Sequence, residues 1–183
     1  MYTFVDLQNK GLSSYQIKKL VSEGNLYKIE NGLYSTKKNN SLLEVVTTLY
    51  PNDIITLNSA FFYYGLIKKE PSIIYIASLQ KARKIKRGNI KQIFMSDHLL
   101  HIGEVKMKYK NISFNTYSLE RLLIELVRNK TSIDSDIYDE AINSYKKITK
   151  LLNKSKLEEY ISYFKDSKIK YRILKEVYGN YDE

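Results

Sequence analysis

The chain contains no cysteine and only two histidines, His98 and His101, among its 183 residues. The absence of cysteine excludes disulfides, thiolate metal sites and cysteine nucleophiles. The two histidines have only Asp97 and Glu104 as acidic neighbours in the sequence. This is a weak metal signal, because a zinc site needs a patterned third ligand. We therefore expect no metal and no cofactor.

Long apolar runs and catalytic motifs are also missing. The longest nearly apolar stretch, residues 59–67, is far shorter than the roughly 18 residues that a membrane span needs. The N-terminus lacks the basic segment and apolar block of a signal peptide. No phosphate-binding glycine loop and no Ser/His/Asp set is visible. These absences predict a cytoplasmic protein that does not contact a membrane, and they agree with a protein that is not an enzyme.

Positive charge is in excess and unevenly distributed. The formal net charge is +10, and the pI is about 9.4. Residues 78–115 carry nine Lys or Arg against two Asp or Glu, whereas the segments on either side are nearly balanced. A polyanionic partner is favoured, but net charge alone argues for nonspecific association and identifies no site. The Lys-, Asn-, Ile- and Tyr-rich composition is also typical of an AT-rich genome, so we discount the total charge.

Two short helices separated by a tight turn are predicted at the N-terminus. The first spans about residues 3–10 and ends at Gly11, a residue type that readily takes the left-handed position after a helix. Ser13 and Gln16 have the spacing of a capping box, which opens a second helix to about Glu23. The face of this helix opposite its apolar stripe is polar and basic, and it consists of Tyr15, Gln16, Lys18, Lys19 and Ser22.

A β-hairpin is predicted directly after the second helix, with strands at residues 26–29 and 33–36. Asn31-Gly32 between them is the strongest local hairpin signal, because both residues accept positive φ. Helix, short turn, helix and hairpin together are the outline of a winged helix-turn-helix DNA-binding module. In this interpretation the polar face of the second helix enters the major groove. Four wing and backbone contacts are expected, from Lys28, Asn31, Lys37 and Lys38.

Two other interpretations of this segment stay open. The face could be an ordinary solvated surface of a small helical hairpin, or the module could contact only proteins. Glu30 beside the hairpin turn argues against phosphate contact at the wing tip, because its carboxylate would repel phosphate.

The rest of the chain is predicted to be a larger α+β domain with a small sheet and C-terminal helices. We place the boundary near residue 40, which gives a module at 1–40 and a domain at 41–183. Ser41 and Glu44 have capping-box spacing at the start of the next helix. Strands are predicted at 54–57, 72–77, 90–95, 104–109 and 112–117, and helices at 41–50, 58–65, 118–127, 136–147, 155–164 and 168–178.

A run of positive side chains lies between two of these strands. Such a segment could contact nucleic acid or an acidic partner protein, with steeply salt-dependent affinity. The alternative is an ordinary solvated loop, the commoner origin of a charge run. The segment consists of Lys81, Arg83, Lys84, Lys86, Arg87 and Lys91.

Asp134 and Asp136 form an Asp-x-Asp pair, which occurs in metal-dependent nucleotidyltransferases. No glycine-serine turn precedes the pair, and no third carboxylate is evident in a strand. A helix N-terminus favours caps and anions at these positions. We therefore favour a capping role over catalysis.

The order of several motifs resembles a known family. Gly11-Leu-Ser13, Gly24-x-Leu26 and Gly32-Leu-Tyr34 resemble the N-terminal winged module of AbiE-type (AbiEi family) antitoxins of bacterial type IV toxin–antitoxin, or abortive-infection, systems. Ser59-Ala60 through Gly65-Leu66 resembles the family's small-residue helix, and residues 117–123 resemble its strand-to-helix junction. Together the motifs extend over nearly the whole chain.

This resemblance implies a DNA-binding autorepressor that acts on operator repeats upstream of its own operon. It also implies that the larger domain counteracts a nucleotidyltransferase-like toxin, with or without direct contact. A different class of function is kept as the alternative, a scaffold module that binds partner proteins without specific DNA binding. The family usually has another helix before the position of Thr3, so we expect either docking of the module against residues 41–67 or a truncated start.

Overall fold

The computed structural model describes residues 1–179 and has the mixed α+β fold that the sequence predicts. The chain forms two compact units, Met1–Pro51 and a second one that begins at Asn52. The division therefore lies at residue 51, beyond the expected boundary near residue 40. The difference arises because the helix Leu42–Leu49 contacts the N-terminal strand of the first unit. Among the described residues, no helix combines the length and apolarity needed to cross a bilayer.

The first unit contains three short strands and three helices. Its sheet is antiparallel, with the order β1-β3-β2. The bounds are β1 Tyr2–Thr3, α1 Phe4–Asn9, α2 Ser14–Ser22, β2 Tyr27–Glu30, β3 Leu33–Ser35 and α3 Leu42–Leu49. Strand β1 was not predicted, because a two-residue strand is too short to produce an alternating pattern.

Capping explains why both N-terminal helices begin where they do. The Thr3 side chain accepts a hydrogen bond from the Asp6 backbone N–H, and the Asp6 carboxylate accepts one from the Thr3 backbone. These bonds lower the pKa of Asp6. Ser13 and Gln16 form the same reciprocal box at α2, which confirms the sequence prediction. Gly11, with φ +86°, takes the predicted left-handed position between the helices.

Removal of the α2 cap tests how much this box stabilises the first unit. Ser13→Ala leaves an orphan N–H at Gln16, so we expect the free energy of unfolding to fall by about 1 kcal/mol. Urea denaturation followed by circular dichroism measures the change. Ser14→Ala alters an exposed serine one residue later and serves as the control. Equal stability of the two variants would contradict the assignment of the cap.

A small apolar core holds the first unit together. Leu7 of α1, Ile17 of α2 and Leu26 are all nearly inaccessible to solvent and form one cluster. The partly buried side chains packed against it are Tyr2, Phe4, Leu12, Leu20, Val21 and Tyr34. Because this core uses the inner side of α2, the opposite side of that helix faces away from it.

The second unit contains a five-stranded mixed sheet and six α-helices within the described residues. The strand order is β6-β5-β4-β8-β7, with β5 parallel to β6 and β4 parallel to β8. The strands are β4 Ile54–Ile55, β5 Ile74–Leu79, β6 Ile90–Met95, β7 Glu104–Tyr109 and β8 Ile112–Tyr117. The helices are α4 Leu57–Tyr63, α5 Asp97–Leu100, α6 Leu119–Arg128, α7 Ser135–Ile148, α8 Lys154–Ser162 and α9 Lys168–Ile173. A π-helical turn, Leu174–Tyr178, follows α9.

Most elements of the second unit were predicted correctly, and the bounds of β6, β7 and β8 were exact. Helix α4 differs, because it begins at Leu57 after the N-cap residue Thr56. Asn58 and Ser59 therefore lie inside the helix, in its first turn. Strand β5 lies two residues later than expected, and the four-residue helix α5 was not predicted.

Candidate functional site

The predicted outer face of α2 is exposed to solvent. Tyr15 has 76% of its surface accessible, and Gln16, Lys18, Lys19 and Ser22 are also exposed. Ile17 on the inner side is 1% accessible, so burial of the apolar stripe determines which way the polar face points. The structure therefore places all five predicted helix residues at the surface of the first unit.

These five side chains differ in how free they are to bind a partner. The side-chain oxygen of Gln16 accepts the Ser13 N–H at 2.8 Å, and the Ser22 hydroxyl donates to the Lys19 backbone carbonyl at 2.8 Å. Lys19 also lies 3.8 Å from the Glu23 carboxylate, an exposed pair that contributes little stability. Within the described part of the chain, Tyr15 and Lys18 have no such partner. They are the two most available groups of this face.

The hairpin after α2 has a shorter turn than expected. Glu30 lies in β2 and pairs with Leu33, so Asn31 and Gly32 alone form the turn. Glu30 is half-buried, whereas Asn31 and Lys28 are exposed. The exposed polar side chain of the turn itself is thus that of Asn31, which is uncharged.

A compact loop follows the hairpin and holds Lys37 in position. The Ser35 hydroxyl donates to the Asn40 side chain at 2.8 Å and accepts the Lys37 backbone N–H at 3.0 Å. The Asn40 amide returns a hydrogen bond to the Lys37 carbonyl at 3.1 Å. Lys37 and Lys38 are exposed on this loop. The hydrogen bonds of Ser35 and Asn40 around Lys37 were not predicted. They depend on the conformation of the loop, which hydrophobic periodicity in the sequence does not indicate.

The basic segment connects the parallel strands β5 and β6, and the Gln92 side chain organises it. Its amide nitrogen donates to the Ser78 hydroxyl at 3.0 Å and to the Arg83 carbonyl at 3.3 Å. Its oxygen accepts the Ile85 backbone N–H at 3.0 Å. The loop is therefore attached to the sheet at its middle.

The six positive side chains of this segment do not form one free cluster. Lys81 donates to the Asp97 carboxylate at 3.1 Å, and the Lys91 ammonium lies 5.4 Å from the centre of the Tyr75 ring. Arg87 is half-buried. Arg83, Lys84 and Lys86 are exposed on the loop itself.

The acidic pair at α7 adopts a capping geometry. Asp134 is the N-cap residue, and its carboxylate accepts the Asp136 backbone N–H at 3.0 Å. His101 lies 2.6 Å from the Glu104 carboxylate. Across residues 1–179, no group of three or more His, Cys, Asp or Glu side chains is placed to hold a metal ion.

Comparisons with protein-family models and with curated proteins found no match to this chain.

Proposed function

We propose that this protein is a cytoplasmic DNA-binding autorepressor and antitoxin of a bacterial type IV toxin–antitoxin system. In this proposal the first unit acts as a winged helix-turn-helix module, and α2 enters the major groove of operator repeats upstream of its own operon. The second unit counteracts a nucleotidyltransferase-like toxin, and the chain itself performs no catalysis.

The exposed polar face of α2 is the observation that carries this proposal. The four residues 10–13 separate α1 from α2, a spacing typical of a helix-turn-helix. Lys18 and Tyr15 can donate hydrogen bonds to phosphates or base edges without first breaking another contact. The hairpin β2–β3 with Lys28, and the loop with Lys37, provide further cations in the same unit.

A mobility-shift assay with the DNA upstream of the protein's own operon tests the proposal. Lys18→Ala/Lys19→Ala removes two cations, so we expect operator affinity to fall about tenfold at moderate salt. The negative slope of log affinity against log salt concentration should become less steep, by roughly 0.9 for each lost phosphate contact. The loss should be similar for operator and unrelated sequences if both lysines contact phosphates.

Lys146→Ala/Lys147→Ala is the matched control, because it removes two adjacent exposed lysines from a helix of the second unit. Unchanged operator binding by this control, together with weakened binding by the α2 variant, would support the proposal. Equal binding by the two variants would exclude α2 as the recognition helix.

A protein-interaction module is the second candidate. The commitment of Gln16 to its cap and of Lys19 to Glu23 favours it, because both contacts reduce the donors available for DNA. This candidate predicts co-purification with the product of the neighbouring gene and no operator binding at any salt concentration. Tighter binding of the operator than of unrelated DNA by the wild-type protein would exclude it.

A further inference from the structure

The hairpin β7–β8 extends beyond the rest of its sheet as a two-stranded ribbon. Six residue pairs join β7 to β8, from Glu104–Tyr117 to Tyr109–Ile112. The neighbouring strand β4 pairs with β8 only at Thr116. Residues 106–115 therefore project as a ribbon, with β7 at the outer edge of the sheet.

One face of this ribbon is held by aromatic packing. The Tyr63 ring of α4 lies 4.9 Å from the Tyr109 ring and 5.3 Å from the Phe114 ring, measured between centroids. Phe62 also contacts Tyr109 edge-on, with 6.2 Å between centroids. Such contacts add to the stability gained by burial of the rings. Aromatic side chains of α4 therefore pack against this face of the ribbon.

The other face carries polar side chains that the register brings together. Lys106 lies opposite Asn115, and Lys108 lies opposite Ser113. Directly opposed residues of an antiparallel pair share a face. Lys106, Lys108 and Ser113 are exposed, and Asn115 is half-buried. Neither lysine has an ion-pair partner among residues 1–179.

The projecting residues 106–115 carry charge of one sign. Residues 105–115 include three lysines and no acidic residue. Glu104 lies two residues before Lys106 on the same face of β7, and its carboxylate lies 2.6 Å from His101. Lys106 and Lys108 are two residues apart on one strand, which separates their Cα atoms by about 7 Å. Serine and asparagine beside them supply further donors to phosphate oxygens.

We propose that this face of the β7–β8 ribbon is a DNA-binding surface of the second unit, which contacts the phosphates of duplex DNA. A two-stranded ribbon fits the major groove of B-DNA, which is about 12 Å wide, but not the deep narrow groove of A-form RNA. The exposed face has no aromatic side chain on which single-stranded bases could stack. The inference does not require α2 to bind DNA.

Lysines on an edge strand have a second known role, since they prevent edge-to-edge aggregation. That role requires charge but no DNA contact. A binding experiment on the full-length protein separates the two roles.

The test compares Lys106→Gln/Lys108→Gln with the wild type in fluorescence anisotropy, using a labelled duplex of about 21 base pairs and arbitrary sequence. Between about 50 and 200 mM salt, the negative slope of log affinity against log salt concentration should be less steep for the variant than for the wild type. The difference should be roughly 0.9 for each lysine removed. Affinity at about 100 mM salt should fall about tenfold. Size-exclusion chromatography monitors the oligomeric state of each variant in parallel.

Lys146→Gln/Lys147→Gln is the control with the same change of charge. If it weakens duplex binding as much as the ribbon variant, the effect is one of net charge and the proposal is overturned. If the ribbon variant aggregates but keeps its affinity for the duplex, the two lysines serve to prevent edge-to-edge aggregation. This result would also overturn the proposal. The wild type could also bind single-stranded DNA or polyglutamate more tightly than the duplex, and lose that binding in the ribbon variant. This result would overturn the assignment of duplex DNA as the ligand.

Comparison with Lys18→Ala/Lys19→Ala separates this inference from the proposed function. Loss of operator binding in the α2 variant with unchanged duplex affinity in the ribbon variant refutes only the ribbon surface. The reverse result supports the ribbon and refutes α2.

Discussion

Glu125→Ala is expected to lower the free energy of unfolding of the second unit by about 3–5 kcal/mol, because it leaves a buried arginine without its counter-charge. The side chains of Arg121 and Glu125 are 0% and 1% accessible. One Glu125 oxygen accepts from Arg121 Nη2 at 2.8 Å and Nε at 3.1 Å. The same oxygen accepts from Arg128 at 2.9 Å, and the other oxygen accepts from Asn129 at 3.2 Å.

The surroundings of Arg121 prevent it from relieving the loss by moving to solvent. Its Nη1 donates to the carbonyls of Leu99 and Ile102, at 2.9 and 3.0 Å. Its guanidinium lies 4.6 Å from the Tyr117 ring centre and 4.8 Å from that of Phe164. The charge would therefore stay buried in Glu125→Ala, which is why the cost should exceed that of an exposed ion pair.

Urea denaturation followed by circular dichroism measures this effect. Glu159→Ala removes an exposed glutamate from α8 and should change stability by no more than about 0.5 kcal/mol. Arg121→Met/Glu125→Leu removes both charges, so we expect it to recover much of the loss. A loss below about 1 kcal/mol for Glu125→Ala would contradict a dominant role for this ion pair.

Gly103→Ala is expected to destabilise the second unit by about 2–5 kcal/mol, for two separable reasons. Gly103 has φ +72°, a conformation that costs an alanine about 1–2 kcal/mol. A Cβ at this position would also lie 2.6 Å from Cβ of Arg121 and 3.1 Å from the Tyr160 ring. Arg121 is held by the contacts described above, so the overpacking adds about 1–3 kcal/mol.

Gly65→Ala is a control that isolates the backbone contribution. Gly65 also has φ +72°, but an added Cβ there would meet nothing within 4 Å. Both variants would be measured by the same urea denaturation. The difference between their unfolding free energies reports the clash with Arg121, and a difference near zero would contradict it.

Local patterns in the sequence predicted most of the secondary structure. Ser13 and Gln16 start α2 as expected, and local signals of the same kind act elsewhere, since Ser118 caps α6 and Lys110-Asn111 turns the β7–β8 hairpin. These features depend on groups within four residues of one another, so the sequence contains the information. The polar face of α2 was predictable for the same reason, because the position of Ile17 determines the opposite side.

Long-range contacts were not predictable in the same way. The repeating leucines of α6 have the spacing of a buried face, but this spacing does not indicate that Arg121 and Glu125 are buried on the same helix. Their partners, the carbonyls of Leu99 and Ile102 and the ring of Phe164, come from distant parts of the chain. A sequence pattern reports the polarity of a side chain and not the presence of a distant partner.

The sequence alone therefore determined most of the helices and strands and the sign of the charge on each segment. Only the tertiary structure decided which charges are buried, which are paired and which are free. Lys106 and Lys108 alternate with Met107 in the sequence, but their availability depends on Tyr63 of α4 packing on the opposite face of the ribbon. The physical reason is that periodicity is local, whereas burial and pairing depend on contacts between residues far apart in the chain.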